Sequence, residues 1–425
     1  MLPLILPIGM LLCGVALLLL GSGLLNTLLA LRGGIEGYDT QLIGLIMSGY
    51  FVGFLIGTFT ALPLIQRIGH VRAFAFCAAL TACSVLAHTL VVGPWAWLAL
   101  RVVTGTCLVT LYTLIESWLN DRAPSAQRGQ LFSVYMMVNL GALALAQQLI
   151  RLDSPARFTL FAVSAIMICL AVLPVMMARA APVVPERVLR MSIRRLYRAA
   201  PVGVAGALLA GLAGGAFWGL APVYAEHAGL DKAGVAVFMT CAILGGALFQ
   251  LPLGRYSDRR DRRQVLFRVA LASAATAGLL ALLTTLGYGI SAAAFLYGGF
   301  AFAVYPVTVA HLIDRLAPED ILAGSSSLLL LNGVGSALGP ALAGVLMQSV
   351  GSYGLPLYFV VVQLLLAGYA LLRLRATGDI SVGEPAHFVP MVRTTPAALE
   401  MLEGATLAEM TEEDVDRGEV VERGN

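Results

Sequence analysis

Charge is what this chain has least of. Only 12% of its 425 residues are Asp, Glu, Lys or Arg, against 59% apolar ones, and the mean hydropathy is +0.86. A soluble domain carries about 25% charged residues. The two or three soluble domains that this length would allow could therefore not cover their surfaces. Cysteine is also scarce: the six residues all lie in apolar stretches and none forms a CxxC. That excludes a disulfide frame or thiolate metal site and leaves small packing residues. The patterns GxxxxGK[ST], HExxH and GxSxG are missing, and the glycine-rich stretches lie inside apolar runs, away from any strand–turn–helix context. No cofactor or metal is expected. No positive residue precedes the apolar run from Ile8 to Ala30, which is too long for a signal-peptide core, so it reads as a retained first span.

What is present is twelve apolar runs of membrane-spanning length, near 8–30, 41–64, 73–92, 95–119, 130–150, 157–178, 199–222, 234–254, 265–285, 289–313, 322–347 and 353–373. Six lie on either side of an arginine-rich gap, 179–198, that contains Pro182 and Pro185. The predicted fold is an all-α integral membrane protein of twelve transmembrane helices. Residues 1–178 and 199–375 form two six-helix bundles, 179–198 joins them, and 376–425 is a tail.

Arginine placement sets the orientation. With both termini cytoplasmic, the inside loops hold nineteen basic residues and the outside loops only Arg32, Arg151, Arg157 and Lys232, as the positive-inside rule requires. The clusters at 187–198 and 255–263 could mark nucleic-acid contact. Flanked by spans on both sides, they read instead as topology signals and anionic-lipid anchors. The tail carries eleven acidic and three basic residues; it reads as a disordered cytoplasmic extension, with a short amphipathic helix over "PAALEMLEGATLAEM" as the alternative.

The two halves repeat. At a constant offset of 193, Gly105 falls on Gly298, Tyr112 on Tyr305, Asp121-Arg122 on Asp314-Arg315, Ser133 on Ser326 and Asn139 on Asn332. Spans four and five thus correspond to spans ten and eleven, the parallel-repeat plan of many transporters.

Between spans eight and nine stands "GRYSDRRDRR", Gly254 to Arg263. Asp258 can accept hydrogen bonds at a neighbouring helix N-terminus, and the arginines can reach carboxylates at adjacent helix ends. This loop resembles the cytoplasmic signature of the major facilitator superfamily. The first-half counterpart, "LPLIQRIGHVR", keeps Pro63, Arg67, Gly69 and Arg72 but carries Gln66 where the family has an aspartate. Its charge lock is therefore expected to be weaker or differently built. Arg101 and Gly105 match the family's RxxxG pattern in span four, where the arginine is tied to proton coupling. The span-five antiporter proline is missing; a glycine-proline run stands in span eleven instead, around Gly335, Gly339, Pro340 and Gly344. "LRGG", "IGHVRAFAF" and "YTLIESWLND" resemble a group of bacterial inner-membrane permeases.

The resemblance implies a secondary active transporter working by alternating access on a small organic molecule. A membrane-embedded enzyme would need converging titratable groups, and the spans offer only Arg101, Glu116, His88 and His311, loosely spaced. Arg101 and Glu116 stand fifteen positions apart in span four, roughly 22 Å along a helix. Arg101 must pair, face the cavity or snorkel beside Trp95 and Trp97. Glu116 is either a protonatable coupling group or the partner of Arg67 or Arg72 in an inner gate. Asp258, Arg259, Arg262 and Asp314 form the second gating set. Asn26, Tyr112, Asn139, Trp218 and Asn332 are the leading substrate contacts, because they fall in spans one, four, five, seven and eleven, where the family lines its cavity. They could equally tie helices together. Protons are the expected coupling ion, lipids and a neutral or amphipathic substrate the expected partners, and the chain is expected to be a monomer without nucleic acid. Export stands ahead of uptake.

Overall fold

The computed structural model describes residues 2–122, 128–177 and 190–376. The tail expected to be disordered, and the 179–189 part of the joining segment, lie outside the described residues. Among the described residues, twelve helices are long and apolar enough to cross a membrane: Ile8–Ile35, Thr40–Ile68, His70–Leu90, Pro94–Arg122, Gly129–Leu152, Thr159–Met177, Pro201–His227, Lys232–Asp258, Arg262–Leu286, Ile290–Ile313, Ile321–Val350 and Gly354–Ala376. We number them as spans one to twelve. Spans two, four and eleven are long, at 29, 29 and 30 residues, whereas spans three, six and twelve have 21, 19 and 23.

Packing reproduces the sequence repeat. Span two packs on four, one on five and six, and three on six; likewise eight packs on ten, seven on eleven and twelve, and nine on twelve. Between the halves, two meets eleven and, by the same symmetry, eight meets five. These relationships agree with two pseudo-symmetric six-helix bundles.

Local chemistry repeats as well, but at an offset of 192 between spans two and eight. Asp39 caps span two by accepting from the Leu42 amide at 2.7 Å, and Asp231 caps span eight by accepting from the Gly234 amide at 2.8 Å. These bonds satisfy backbone donors that have no partner within the helix. At the crossing of spans two and four, Gly53 and Gly105 allow backbone-to-backbone contact, where a Cβ on either would collide with a carbonyl oxygen of the other helix. Gly245 and Gly298 do the same for spans eight and ten. This close approach is what small residues permit in membrane helices.

Span ten is broken. Its helix runs Ile290–Ala301 and resumes as Val304–Ile313. Pro306 lacks the N–H that would bond the Phe302 carbonyl four residues back, so the ladder opens at that turn.

Candidate functional site

A central cavity lies between the halves. Its wall comes from spans two, seven, ten and eleven, with Arg190 of the joining segment added, and it encloses about 1240 Å³ of empty volume, part of it open to solvent. Each span contributes residues from its middle and from the half nearer the joining segment: Tyr50 to Thr58, Ala210 to Trp218, Tyr297 to Tyr305 and Ser326 to Ser336. The surface is mainly apolar and aromatic. Trp218 and Phe302 stack with centroids 5.8 Å apart and planes within 11°. The break in span ten therefore sets an aromatic ring into the wall. Among the polar lining groups, Asn332 Nδ2 donates to the Ala207 carbonyl at 3.0 Å, tying span eleven to span seven. Among the described residues, the buried hydroxyls of Tyr297, Tyr305 and Ser326 have no hydrogen-bond partner, an unfavourable state for a buried polar group.

The opposite end is sealed. Thr40 Oγ1 donates to the Gly344 carbonyl at 3.2 Å, the Ala341 amide donates to Ser48 Oγ at 3.2 Å, and Gln148 Nε2 donates to Thr240 Oγ1 at 2.6 Å. Spans two and eleven touch so closely there that a Cβ on Gly44 would collide with the Pro340 carbonyl, and one on Gly344 with that of Thr40. The halves are thus closed at one end and parted at the end that carries the joining segment.

Of the expected substrate contacts, Trp218 and Asn332 line the cavity. Asn26, Tyr112 and Asn139 do not; the first two tie span one to span four, and the third bonds within span five. Asn26 Oδ1 accepts from Arg101 Nη2 at 2.6 Å, the Tyr112 hydroxyl lies 3.3 Å from Ser22 Oγ, and Asn139 Nδ2 donates to the Tyr135 carbonyl at 2.7 Å. Sequence reasoning missed the share of span two, whose Phe51 and Phe54 line the wall, and Arg190, which it counted only as an orientation signal.

Arg101 is 1% exposed, so it does not snorkel. Its guanidinium lies 4.7 Å from the centre of the Tyr50 ring, and Tyr50 lines the cavity. The cation therefore sits behind the wall, linked to it through an aromatic face. Glu116 is fully buried and accepts from the Tyr135 hydroxyl at 2.6 Å. It meets neither Arg67 nor Arg72: both arginines are exposed, Arg67 in the last turn of span two and Arg72 in the first turn of span three. The expected Glu116–Arg67 or Glu116–Arg72 pair is therefore not formed in this arrangement.

The span-eight to span-nine connection is built on charge. Arg262 Nε donates to Asp314 Oδ2 at 2.6 Å and its Nη2 lies 3.3 Å from Asp258 Oδ1. One buried guanidinium thus joins the end of span eight, the start of span nine and the end of span ten. Arg259 follows the helix end and is exposed. Asp261 bonds Arg263 at 2.7 Å. Burial pushes its carboxyl up, but the hydrogen bonds and charge of Arg263 outweigh this and hold it below the ordinary aspartate value. The first half differs at the matching positions: Gln66 replaces Asp258, and in place of Arg262, His70 faces Trp118 at 6.2 Å between ring centres.

Comparison with known proteins agrees with this architecture. The sequence profile described as Major Facilitator Superfamily matches residues 11–196 and 203–399. The chain is 32% identical over 379 residues to proteins named "Uncharacterized MFS-type transporter YcaD" from Salmonella newport (strain SL254) and Salmonella heidelberg (strain SL476), covering 88% of this chain and 96% of each relative. Among solved structures it resembles the nucleoside transporter NupG, with a TM-score of 0.67 at 16% identity over 87% of this chain and 98% of that one. It also resembles a bacterial homolog of the human lysosomal transporter Spinster in an inward-facing, occupied conformation, with a TM-score of 0.68 at 15% identity over 87% and 96%. These two likenesses concern the fold. The chain belongs to the Major Facilitator Superfamily and is a multi-pass secondary transporter of small molecules that works by alternating access.

Proposed function

We propose that the transported molecule is amphipathic and that its movement is coupled to protons, in the direction of export. The observation that carries this reading is the cavity wall: stacked Trp218 and Phe302, further aromatics from span two, and the unpartnered hydroxyls of Tyr305 and Ser326. Such a surface takes an apolar body with a few hydrogen-bonding groups. A multivalent anion would find too little positive charge there. Trp218 and Asn332 are the substrate contacts of this reading.

Coupling falls to Arg101 and Glu116, the charged pair buried in span four. Ionisable groups within membrane spans are expensive and serve function by default. Asp258, Arg262 and Asp314 hold the gate at the joining-segment end, with Arg259, Arg67 and Arg72 on the adjoining surface.

The nineteen-to-four bias of basic residues supports cytoplasmic termini, and the cavity then opens to the cytoplasm, as an exporter's loading state requires. A cysteine introduced at position 194 should react with a membrane-impermeant reagent only from the cytoplasmic face. Periplasmic labelling would invert the topology.

The test of transport uses purified protein in proteoliposomes, with hits from a thermal-shift screen offered as solutes. Proton-gradient-dependent flux out of the cytoplasmic compartment is expected. Flux indifferent to both pH gradient and membrane potential would make the protein a uniporter, and accumulation in right-side-out vesicles would reverse the direction.

A further inference from the structure

Arg190 is the one charged side chain among the described residues of the cavity wall. Its backbone neighbourhood is fixed to the second half: the Met191 amide donates to the Ala323 carbonyl at 3.3 Å, and Ser327 Oγ donates to the Met191 carbonyl at 2.9 Å. Arg195 adds an ion pair with Asp320 at 2.6 Å. The side chain itself crosses to the first half, where its guanidinium carbon lies 4.0 Å from the centre of the Phe59 ring. No carboxylate pairs with Arg190 among the described residues. An exposed aromatic face is a weaker partner for guanidinium than a carboxylate, which accepts two charge-assisted hydrogen bonds. Ser326 stands immediately before the serine that holds Met191, and its buried Oγ has no partner. A cation and an unused hydroxyl are therefore carried on one short stretch of wall at the cavity's open end.

We propose that Arg190 and Ser326 form an anion-recognition subsite, and that the transported molecule is an amphipathic organic monoanion with a carboxylate-type group at this end. Its apolar body lies on the aromatic wall formed by Trp218 and Phe302. When the anion binds, the guanidinium exchanges the Phe59 ring for the carboxylate. This inference rests on the reading of the cavity as the place where substrate is carried.

The full chain, purified in detergent, is titrated by calorimetry with 2-naphthoate and with the isosteric neutral probe 2-naphthamide. Wild type is expected to bind the carboxylate at least ten-fold more tightly. R190Q should bring the two affinities within two-fold, R190K should keep several-fold preference because it keeps the charge, and S326A should reduce the preference without abolishing it. Equal affinities in wild type, a preference that survives R190Q, or no binding of either probe would overturn the proposal. Failure of the transport reading looks different: the carboxylate preference and its loss in R190Q persist, while proteoliposomes show no flux of any solute.

Discussion

The Tyr135 hydroxyl donates to Glu116 Oε1 at 2.6 Å, joining span five to span four inside the first half. Glu116 is fully buried and absent from the cavity wall, so the coupling role proposed for it would be to hold or release a proton without touching the solute. E116Q preserves an acceptor for Tyr135 and removes the titration. Purified E116Q should keep its melting temperature within about 3 °C, roughly the shift for 1 kcal/mol in a chain of this class or smaller. Its flux should no longer follow an imposed pH gradient. An unchanged proton stoichiometry in E116Q would assign Glu116 to helix packing.

Asp258 shares the Arg262 guanidinium with Asp314. D258N removes one charge and little volume, leaving the shorter Asp314 contact to hold Arg262 in place. Expression should survive while turnover falls several-fold, because the connection between spans eight and nine loses part of its anchoring to span ten. Q66A should have a smaller effect, since Gln66 carries no charge. Wild-type flux in D258N would rule out a gating role.

Gly344 lies against the Thr40 carbonyl at the sealed end. The methyl of G344A collides with backbone that cannot rotate away, and overpacking of this kind costs about 1–3 kcal/mol. That cost falls only on the state in which spans two and eleven touch, so the variant should shift toward the opposite opening by about five-fold to over a hundred-fold, from 1.4 kcal/mol per factor of ten. Cysteine accessibility at position 48 measures it. Unchanged accessibility in a folded G344A protein would show that the contact is not specific to one state.

Asp261 is held below its ordinary value by Arg263, against the opposing pull of burial. A depressed carboxylate stabilises the folded form above its unfolded value, about 3.9, and that contribution is lost as pH falls through the folded value. D261N, which keeps the cap of span nine, should therefore melt lower than wild type from pH 5 to 8. The gap should close as pH drops below about 4. A gap that stays constant to pH 3 would remove the charge from the account.

Much of this was legible in the residues themselves. The spans are long apolar runs, and their number, their repeat and the charged loop after span eight all follow from local composition. The cavity was less so. Asn26 and Asn139 have the same amide chemistry as Asn332, and Tyr112 the same phenol as Tyr305, yet their bonds point inward, to Arg101, the Tyr135 backbone and Ser22. Apolar patterning cannot separate these cases, because a span enclosed by other helices shows no polar face to read. Arg190 escaped for a different reason: only the tertiary fold brings this loop charge over Phe59. The shift of the repeat from 192 to 193 also stayed hidden until the Asp39 and Asp231 caps could be matched.

The unequal span lengths give bilayer thickness a physical handle on this fold. Spans three, six and twelve, at 21, 19 and 23 residues, reach roughly 28–35 Å and match a hydrocarbon core of about 30 Å. Spans two and eleven, at 29 and 30 residues, reach about 44 Å and must lean or protrude to fit the same slab. They are also the two helices pressed together at one end of the cavity and parted at the other. Were reversal of the opening to change their lean while the short spans stay matched, the two states would meet the surrounding lipid with different degrees of mismatch. A thicker or thinner membrane would then favour one of them as an effector would, by differential affinity and without any binding site.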